Sequence, residues 1–323
     1  MLKNEKVFLT GGAGFIGTAL TRRLLQAGNE VIVYDTFLRN SYQYFPELNG
    51  HANLKIVQGD VRDRGKVIES IEDSTYVFHL AAIAGVSKYF RIPAEVMEIN
   101  ILGTFNILEA VKKRRDLKLL VDFSTSEIYG SDCFGAREEG LVKMEKLTEK
   151  RWTYAASKLA SEKIGLSYFW QYDIPFVAVR PFNVYGPGQI GEGGISYFLN
   201  NAIHDKPLTV TGDGSQARTF CFIDDFIHGL EVICSNTSQV IGQSYNIGVE
   251  TGIISMYDLA LMVGEVSGKP LEILFSKHQG EDVMVRSPNI QKIRGLGYSP
   301  RVALREGLKK TLDWYIEKKV SLD

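Results

Sequence analysis

The sequence is poor in the residues that would mark a stapled, metal-built or membrane-spanning protein. Its 323 residues include only three cysteines, Cys133, Cys221 and Cys234. They are widely spaced and form no C-x-x-C pair, which excludes a disulfide framework and a zinc-ribbon site. The five histidines, His51, His79, His204, His228 and His278, share no metal-ligand spacing, so no metal is expected. No apolar run approaches the ~20 residues of a membrane-spanning helix. The opening "MLKNEKVFLTGG" has an apolar stretch of only Val7 to Leu9 and does not read as a secretory signal. The formal net charge is −1 with no block of like charge, so neither nucleic acid nor an anionic membrane surface is an expected partner. Internal repeats and low-complexity segments are missing too. These absences lead to the expectation of a cytoplasmic protein with reduced thiols.

What is present is a globular composition, 45% hydrophobic and 23% charged, on a chain long enough for a sizeable core. The first half alternates. Strand-like runs begin at Val7, Val31, Leu54, Tyr76, Leu117 and Pro175. Helix-period segments cover Ile16 to Ala27, Gly65 to Glu72, Ala94 to Arg114 and Tyr154 to Tyr172. Near-continuous Val/Ile/Leu runs fit parallel strands covered on both faces. Strand–helix alternation then predicts a Rossmann-type, doubly wound α/β sheet over residues 1–180. Beyond the Gly/Pro-rich "RPFNVYGPGQIGEGG" the elements shorten, which predicts a smaller mixed α/β unit over 181–323 that binds substrate. The boundary is soft, because 220–235 can pack back on the first unit. The aromatic run "YFWQY" from Tyr168 is expected on the buried face and end of the last first-half helix.

Two groups of residues point to chemistry. The first strand runs into "GGAGFIG", where Gly12, Gly14 and Gly17 match G-x-G-x-x-G and Gly11, Gly14 and Gly17 recur every three residues. Such a turn lets a pyrophosphate approach bare backbone at a helix N-terminus. Asp35, ending the second strand, is placed to accept the ribose hydroxyls of NAD and to repel the extra phosphate of NADP. Asp60, after the third strand, is expected near the adenine. Downstream, "YAASK" puts Tyr154 and Lys158 four apart on one helix face, where a lysine charge would favour the phenolate of a tyrosine base.

With these in view, "TGGAGFIG", "HLAA", "NILGTFNILEA", "STSEIYG", "YAASK", "RPFNVYGPG" and "RTFCFIDD" fall in one order along nearly the whole chain. In that order the sequence resembles the extended short-chain dehydrogenase/reductases, the NAD-dependent nucleotide-sugar epimerase/dehydratase family. The resemblance implies NAD held by Gly11, Gly14, Phe15, Ile16, Gly17, Asp35, Asp60, Val61, Leu80, Ala81 and Ala82, with Tyr154 and Lys158 at its nicotinamide end. It implies that Thr125 hydrogen-bonds the sugar O4, that Tyr154 takes the 4-OH proton and that Lys158 tunes Tyr154. Glu127 then belongs at C5/C6. The substrate side is implied to include Gly85, Val86, Ser126, Asn183, Arg218 and Arg286, with Arg218 toward the nucleotide or the sugar ring and Arg286 toward a phosphate.

Within the family, "RWTYAASK", "RPFN" and "DVMVRSPNI" resemble UDP-glucuronate decarboxylases, which makes decarboxylation of a UDP-uronate the leading expectation. A nucleotide-sugar 4,6-dehydratase and a uronate 4-epimerase remain alternatives. Thr-Ser-Glu also occurs in some dehydratases, and "AAIAGV" resembles uronate epimerases. Ser126 stands where dTDP-glucose dehydratases carry an aspartic acid. A non-catalytic NAD sensor on the same fold is the alternative of another class. The family implies a homodimer through Ala94–Arg114 and Tyr154–Tyr172.

Overall fold

The computed structural model describes residues 2–277 and 282–320; His278 lies outside the described residues. Seven parallel strands form the central sheet: β1 (Lys6–Thr10), β2 (Glu30–Asp35), β3 (Leu54–Gln58), β4 (Tyr76–His79), β5 (Leu119–Phe123), β6 (Phe176–Pro181) and β7 (Gln243–Ile247). Their order is β7-β6-β5-β4-β1-β2-β3. The order reverses between β1 and β4, so a crevice opens at the C-terminal ends of these neighbours, where ligands of such sheets bind.

Helices α1 (Phe15–Gln26), α2 (Arg64–Ile71), α3 (Val86–Arg91), α4 (Pro93–Val111) and α5 (Thr153–Tyr172) connect the strands. Strand alternation sorts the core into two layers. Val7, Leu9, Val31, Val33 and Val121 face one side, while Phe8, Ile32, Val77, Leu120 and Phe176 face the other. β3, at the edge, has no fully buried residue, and Ile56 in it is exposed.

Three features bear on the reading of the two halves, the second of them in line with the expectation for 220–235. The seventh strand, β7, comes from beyond residue 180 and pairs with β6, Tyr245 opposite Val179. Helix Ile223–Ser235 packs back against α1. And the aromatic run from Tyr168 is not wholly buried: Trp170 is 60% exposed, with the Lys163 ammonium 4.5 Å above its ring.

A second, four-stranded sheet runs Ile254–Ser255, Ala217–Arg218, Val285–Pro288, Asp132–Ala136. Its register sets Arg218 directly beside Arg286, and Arg286 beside Cys133. Residues from three distant stretches of chain are thereby brought under the end of β5.

α5 seats its buried stripe, Lys158, Ser161, Glu162 and Gly165, on this framework. Glu162 is anchored by Arg180 on β6, with N···O at 2.5 Å. A Cβ on Gly165 would sit 2.1 Å from the Phe176 ring. We expect Gly165→Ala to lower the unfolding free energy by about 1–3 kcal/mol, as overpacking does, read as a lower urea midpoint at unchanged slope.

Candidate active site

The glycine turn between β1 and α1 is shaped by close approach. Gly11 has φ +69° and a Cβ there would lie 2.7 Å from the Ala81 nitrogen; one on Gly17 would lie 2.2 Å from the Gly11 carbonyl. Gly14 meets nothing but the Gly11 carbonyl at 3.3 Å, so the turn is open on the side facing the crevice. α1 starts at Phe15 and directs its first free N–H groups there.

Asp35 ends β2 at the rim. Its carboxylate accepts the Ala13 N–H (2.9 Å) and the Phe37 N–H (2.8 Å). Burial raises its pKa, and those amides oppose the rise. These residues fit a dinucleotide: an open glycine cradle, a helix N-terminus and a fixed acid at the ribose position.

Val61 is buried, its carbonyl accepting from Asn106 (2.8 Å). The Asp60 carboxylate is engaged by Arg62 (2.7 Å), which lowers its pKa. Leu80 and Ala81 leave β4 with N–H bonds to the Thr10 carbonyl and hydroxyl, and Ala82 follows along the crevice. Ile16 packs against the core. His79 is a strand histidine between Thr10 (2.8 Å) and Thr104 (3.2 Å). Burial, then the Lys158 charge, lowers its pKa to about 3, so it is neutral.

Thr125 leaves β5 and caps the short turn Ser126–Tyr129, its hydroxyl accepting the Glu127 N–H at 3.2 Å. Tyr129 fastens the turn from behind, taking a bond from Arg180 (2.6 Å) and giving one to Asn246 (2.9 Å). Tyr154, in the first turn of α5, has its pKa pushed well above that of a free phenol. Burial is the main cause, then the charges of Glu127 and Asp122, while Arg39 opposes them. Lys158 is buried one turn further on.

Glu127 is the centre of a buried ion cluster. Arg151 grips it with two nitrogens, Nη1 to Oε2 at 2.8 Å and Nη2 to Oε1 at 3.1 Å, and Arg286 Nη1 stands 3.5 Å from Oε1. Burial alone would raise the Glu127 pKa; the two guanidiniums outweigh it and lower the pKa, so the carboxylate is ionised.

Arg286 Nε and Nη2 and Arg218 Nη1 are buried with no hydrogen-bond partner. Arg218 also reaches the Val283 carbonyl (3.1 Å), and burial with the neighbouring Arg286 charge lowers its pKa to about 10. These idle donors make the site an anion receptor. It adjoins a cavity of about 570 Å³ lined by Asn183, Arg218, Gln216, Phe220 and Asp282. Asn183, at φ +41°, donates to the Thr219 carbonyl (2.8 Å). Gly85 and Val86 begin α3 on the opposite bank, and Ser126 is buried beside Glu127.

Arg151 and Tyr89 were not singled out by the sequence reading. Tyr89 lies parallel to the Tyr154 ring, with centroids 5.3 Å apart. The sequence signal for Arg151 was its place at the head of "RWTYAASK", three residues before Tyr154.

The fold and the site define an NAD-binding α/β enzyme with a tyrosine–lysine pair. The sequence model of the NAD dependent epimerase/dehydratase family matches residues 7–248, and the chain belongs to that family. It is an NAD-dependent enzyme of nucleotide-sugar chemistry. It is similar to the UDP-N-acetyl-alpha-D-glucosaminuronate decarboxylase of Bacillus cytotoxicus, 33% identical across 97% of this chain and 98% of that protein. UDP-glucuronic acid decarboxylase 1 of Arabidopsis thaliana is 30% identical over 95% of this chain and 69% of its own. Among solved structures, UDP-glucuronic acid 4-epimerase from Bacillus cereus, in complex with UDP-glucuronic acid and NAD, superposes with a TM-score of 0.89 at 30% identity. That match covers 97% of this chain and 99% of the other. Among the described residues no metal-binding cluster occurs, and no helix is long and apolar enough to cross a membrane.

Two outcomes follow from this geometry. NAD should bind at least ~10-fold more tightly than NADP, about 1.4 kcal/mol, and Asp35→Ala should narrow that gap in direct titrations. The lowered pKa of Glu127 contributes stability that is present above its ordinary value of 4.5 and is lost as pH falls through the folded value. Glu127→Gln should therefore be less stable than wild type by on the order of 2 kcal/mol near neutral pH, with the difference closing in thermal melts as pH falls below 4.5 and through the lowered folded value.

Proposed function

We propose that this protein decarboxylates a UDP-linked hexuronate after oxidising its C4. The observation that carries the reading is the clamp on Glu127. In a 4,6-dehydratase the carboxyl group at this place must take the C5 proton, and an acid must protonate the departing 6-OH. A carboxylate held by two guanidiniums is a weak base, and Ser126 is a poor acid. Loss of CO2 needs neither. It needs a receptor for a carboxylate, which the idle N–H groups of Arg286 and Arg218 supply. The similarity to two decarboxylases of UDP-uronates supports the same reading.

Thr125 donates a hydrogen bond to O4, and Tyr154 accepts the 4-OH proton as a phenolate, a form that the Lys158 ammonium and the positive charge of a bound nicotinamide would favour against its burial. NAD, when bound, supplies the hydride acceptor for C4 and can return the hydride at the end. Lys158 holds the nicotinamide ribose. Gly11, Gly14, Gly17 and Asp35 hold the rest of the cofactor, with Asp60 toward the adenine. The C4 ketone lies β to the C6 carboxylate, so the C5–C6 bond breaks with its electron pair moving onto C5 and O4. Tyr154, now protonated and with a raised pKa, donates to the developing enolate oxygen. A proton from water then reaches C5. Glu127 stays ionised and repels the CO2-bearing end out of the ring plane. Asn183 and the cavity beside Arg218 take the nucleotide half.

The similarity to a uronate 4-epimerase favours one second reading, in which the hydride returns to the other face without loss of carbon. We further propose a cytoplasmic homodimer. Leu102 and Phe105 on α4 remain partly exposed, and Tyr168 of α5 meets Phe105 edge-on at 6.3 Å, an apolar strip suited to a four-helix contact. Light scattering should give twice the chain mass, and Phe105→Glu should give the monomer.

Glu127→Gln separates the readings. With a UDP-uronate, absorbance from NADH should still form, because Thr125, Tyr154 and Lys158 are intact, while CO2 release falls ~10-fold or more, because the amide no longer carries the charge that orients the C6 carboxylate. Undiminished product formation in this variant would leave Glu127 without a role in the chemistry and favour epimerisation. Tyr154→Phe should abolish NADH formation while still binding NAD.

A further inference from the structure

Tyr89 has no assigned role, yet it is 3% exposed and sits against the catalytic tyrosine. Its ring is inclined only 6° to that of Tyr154, with centroids 5.3 Å apart. Its hydroxyl accepts the Gly85 N–H at 3.0 Å, which fixes the ring to the loop that leaves β4. The Arg151 guanidinium carbon lies 5.8 Å from the Tyr89 centroid and 5.1 Å from that of Trp152, so the cation is held between two aromatic faces. The same guanidinium grips Glu127 with both terminal nitrogens. A continuous line of contacts thus runs Glu127, Arg151, Tyr89, Tyr154.

We propose that Tyr89 is a positioning residue for the catalytic base: its ring, flat on Tyr154 and flanked by Arg151, fixes where the Tyr154 hydroxyl points and ties it to the carboxylate of Glu127. The phenol of Tyr154 must lie within hydrogen-bond reach of the sugar 4-OH when the hydride leaves, and a displacement of about 1 Å at such a place costs up to ~100-fold in rate. A flat neighbour constrains the plane of the ring, which a helix backbone alone does not. Because the neighbour also touches Arg151, movement of Glu127 and of Tyr154 is coupled. The groups that determine how readily Tyr154 gives up its proton then keep fixed distances from it. They are Glu127 and Asp122 at the end of β5 and Arg39 from the loop after β2; Lys158 one turn along α5 and Arg151 beside Tyr89 are the other charged groups on the neighbouring elements.

The proposal rests on Tyr154 being the base, so one of its two tests needs no substrate. In the NAD-loaded protein with 13C-labelled tyrosine rings, Tyr154 signals are assigned by their loss in Tyr154→Phe. A seated ring flips slowly and shows separate or broadened lines for its two edges. Tyr89→Leu should collapse them to one sharp line, and Tyr89→Phe, which keeps the ring, should not. Free flipping of Tyr154 in the wild type would overturn the proposal whatever the enzyme does to any sugar.

The second test is the rate of NADH formation on mixing with a UDP-uronate, followed against pH. Tyr89→Leu should slow it ~10-fold or more and move its acid limb to lower pH, because water now reaches a phenol whose raised pKa came chiefly from burial. Tyr89→Phe should stay within ~3-fold of wild type with an unmoved limb. A Tyr89→Leu protein that matches wild type in rate and pH profile, or a Tyr89→Phe protein as slow as Tyr89→Leu, contradicts the assignment. Absence of NADH formation in the wild type counts against the role given to Tyr154, and the ring-flip measurement then still decides the packing claim.

Discussion

The ion cluster around Glu127 is the constraint on which the site depends. A carboxylate buried under the sheet would ordinarily take up a proton, and a pair of arginines buried beside it would ordinarily repel one another. Together they are tolerable, because each charge supplies the desolvated partner the others lack. The result is a cationic surplus, with guanidinium N–H groups of Arg286 and Arg218 left over. Nature of the charge, rather than shape alone, then sets which chemistry the site serves. It favours an anion beside the guanidiniums and, on the proposed reading, discourages base catalysis by Glu127.

That cluster is a product of topology. The turn Ser126–Tyr129 passes straight from β5 into Asp132–Ala136, an outer strand of the small sheet. Val285–Pro288 pairs with it, and Ala217–Arg218 pairs with the far side of Val285–Pro288. The acid at the end of the large sheet therefore faces cations on the small one. Arg151, in the short turn Lys150–Trp152 just before α5, closes the ring from that side. Tyr129 locks the assembly to Arg180 and Asn246 behind it.

The parts written in local spacing were legible from sequence. The glycine turn, Asp35 and the Tyr154/Lys158 pair each depend on a few neighbouring residues, and they stand where a strand–turn–helix unit puts them. The strands of the first half were equally readable, because both faces of a parallel sheet demand apolar runs. What depended on pairing between distant segments was not readable. No local pattern says that Arg218 and Arg286 share a register, or that β7 returns to the large sheet from the second half. Arg151 and Tyr89 escaped notice for a related reason. An arginine before a helix and a tyrosine in a short one are ordinary surface residues until the fold buries them. Trp170 erred in the other direction, an aromatic residue in an aromatic run that the helix turns toward solvent.

The account turns on the charge carried by Glu127, and the direct measurement is its pKa. In protein labelled with 13C at glutamate carboxyls, the Glu127 resonance can be identified by its loss in Glu127→Gln and followed with pH in the NAD-bound state. The clamp by Arg151 and Arg286 predicts a carboxylate that titrates below the ordinary value of 4.5 and stays ionised across the neutral range. A midpoint raised toward neutrality would mean that burial wins over the arginines. Glu127 would then be a competent proton acceptor, and the case for decarboxylation over dehydration would fall.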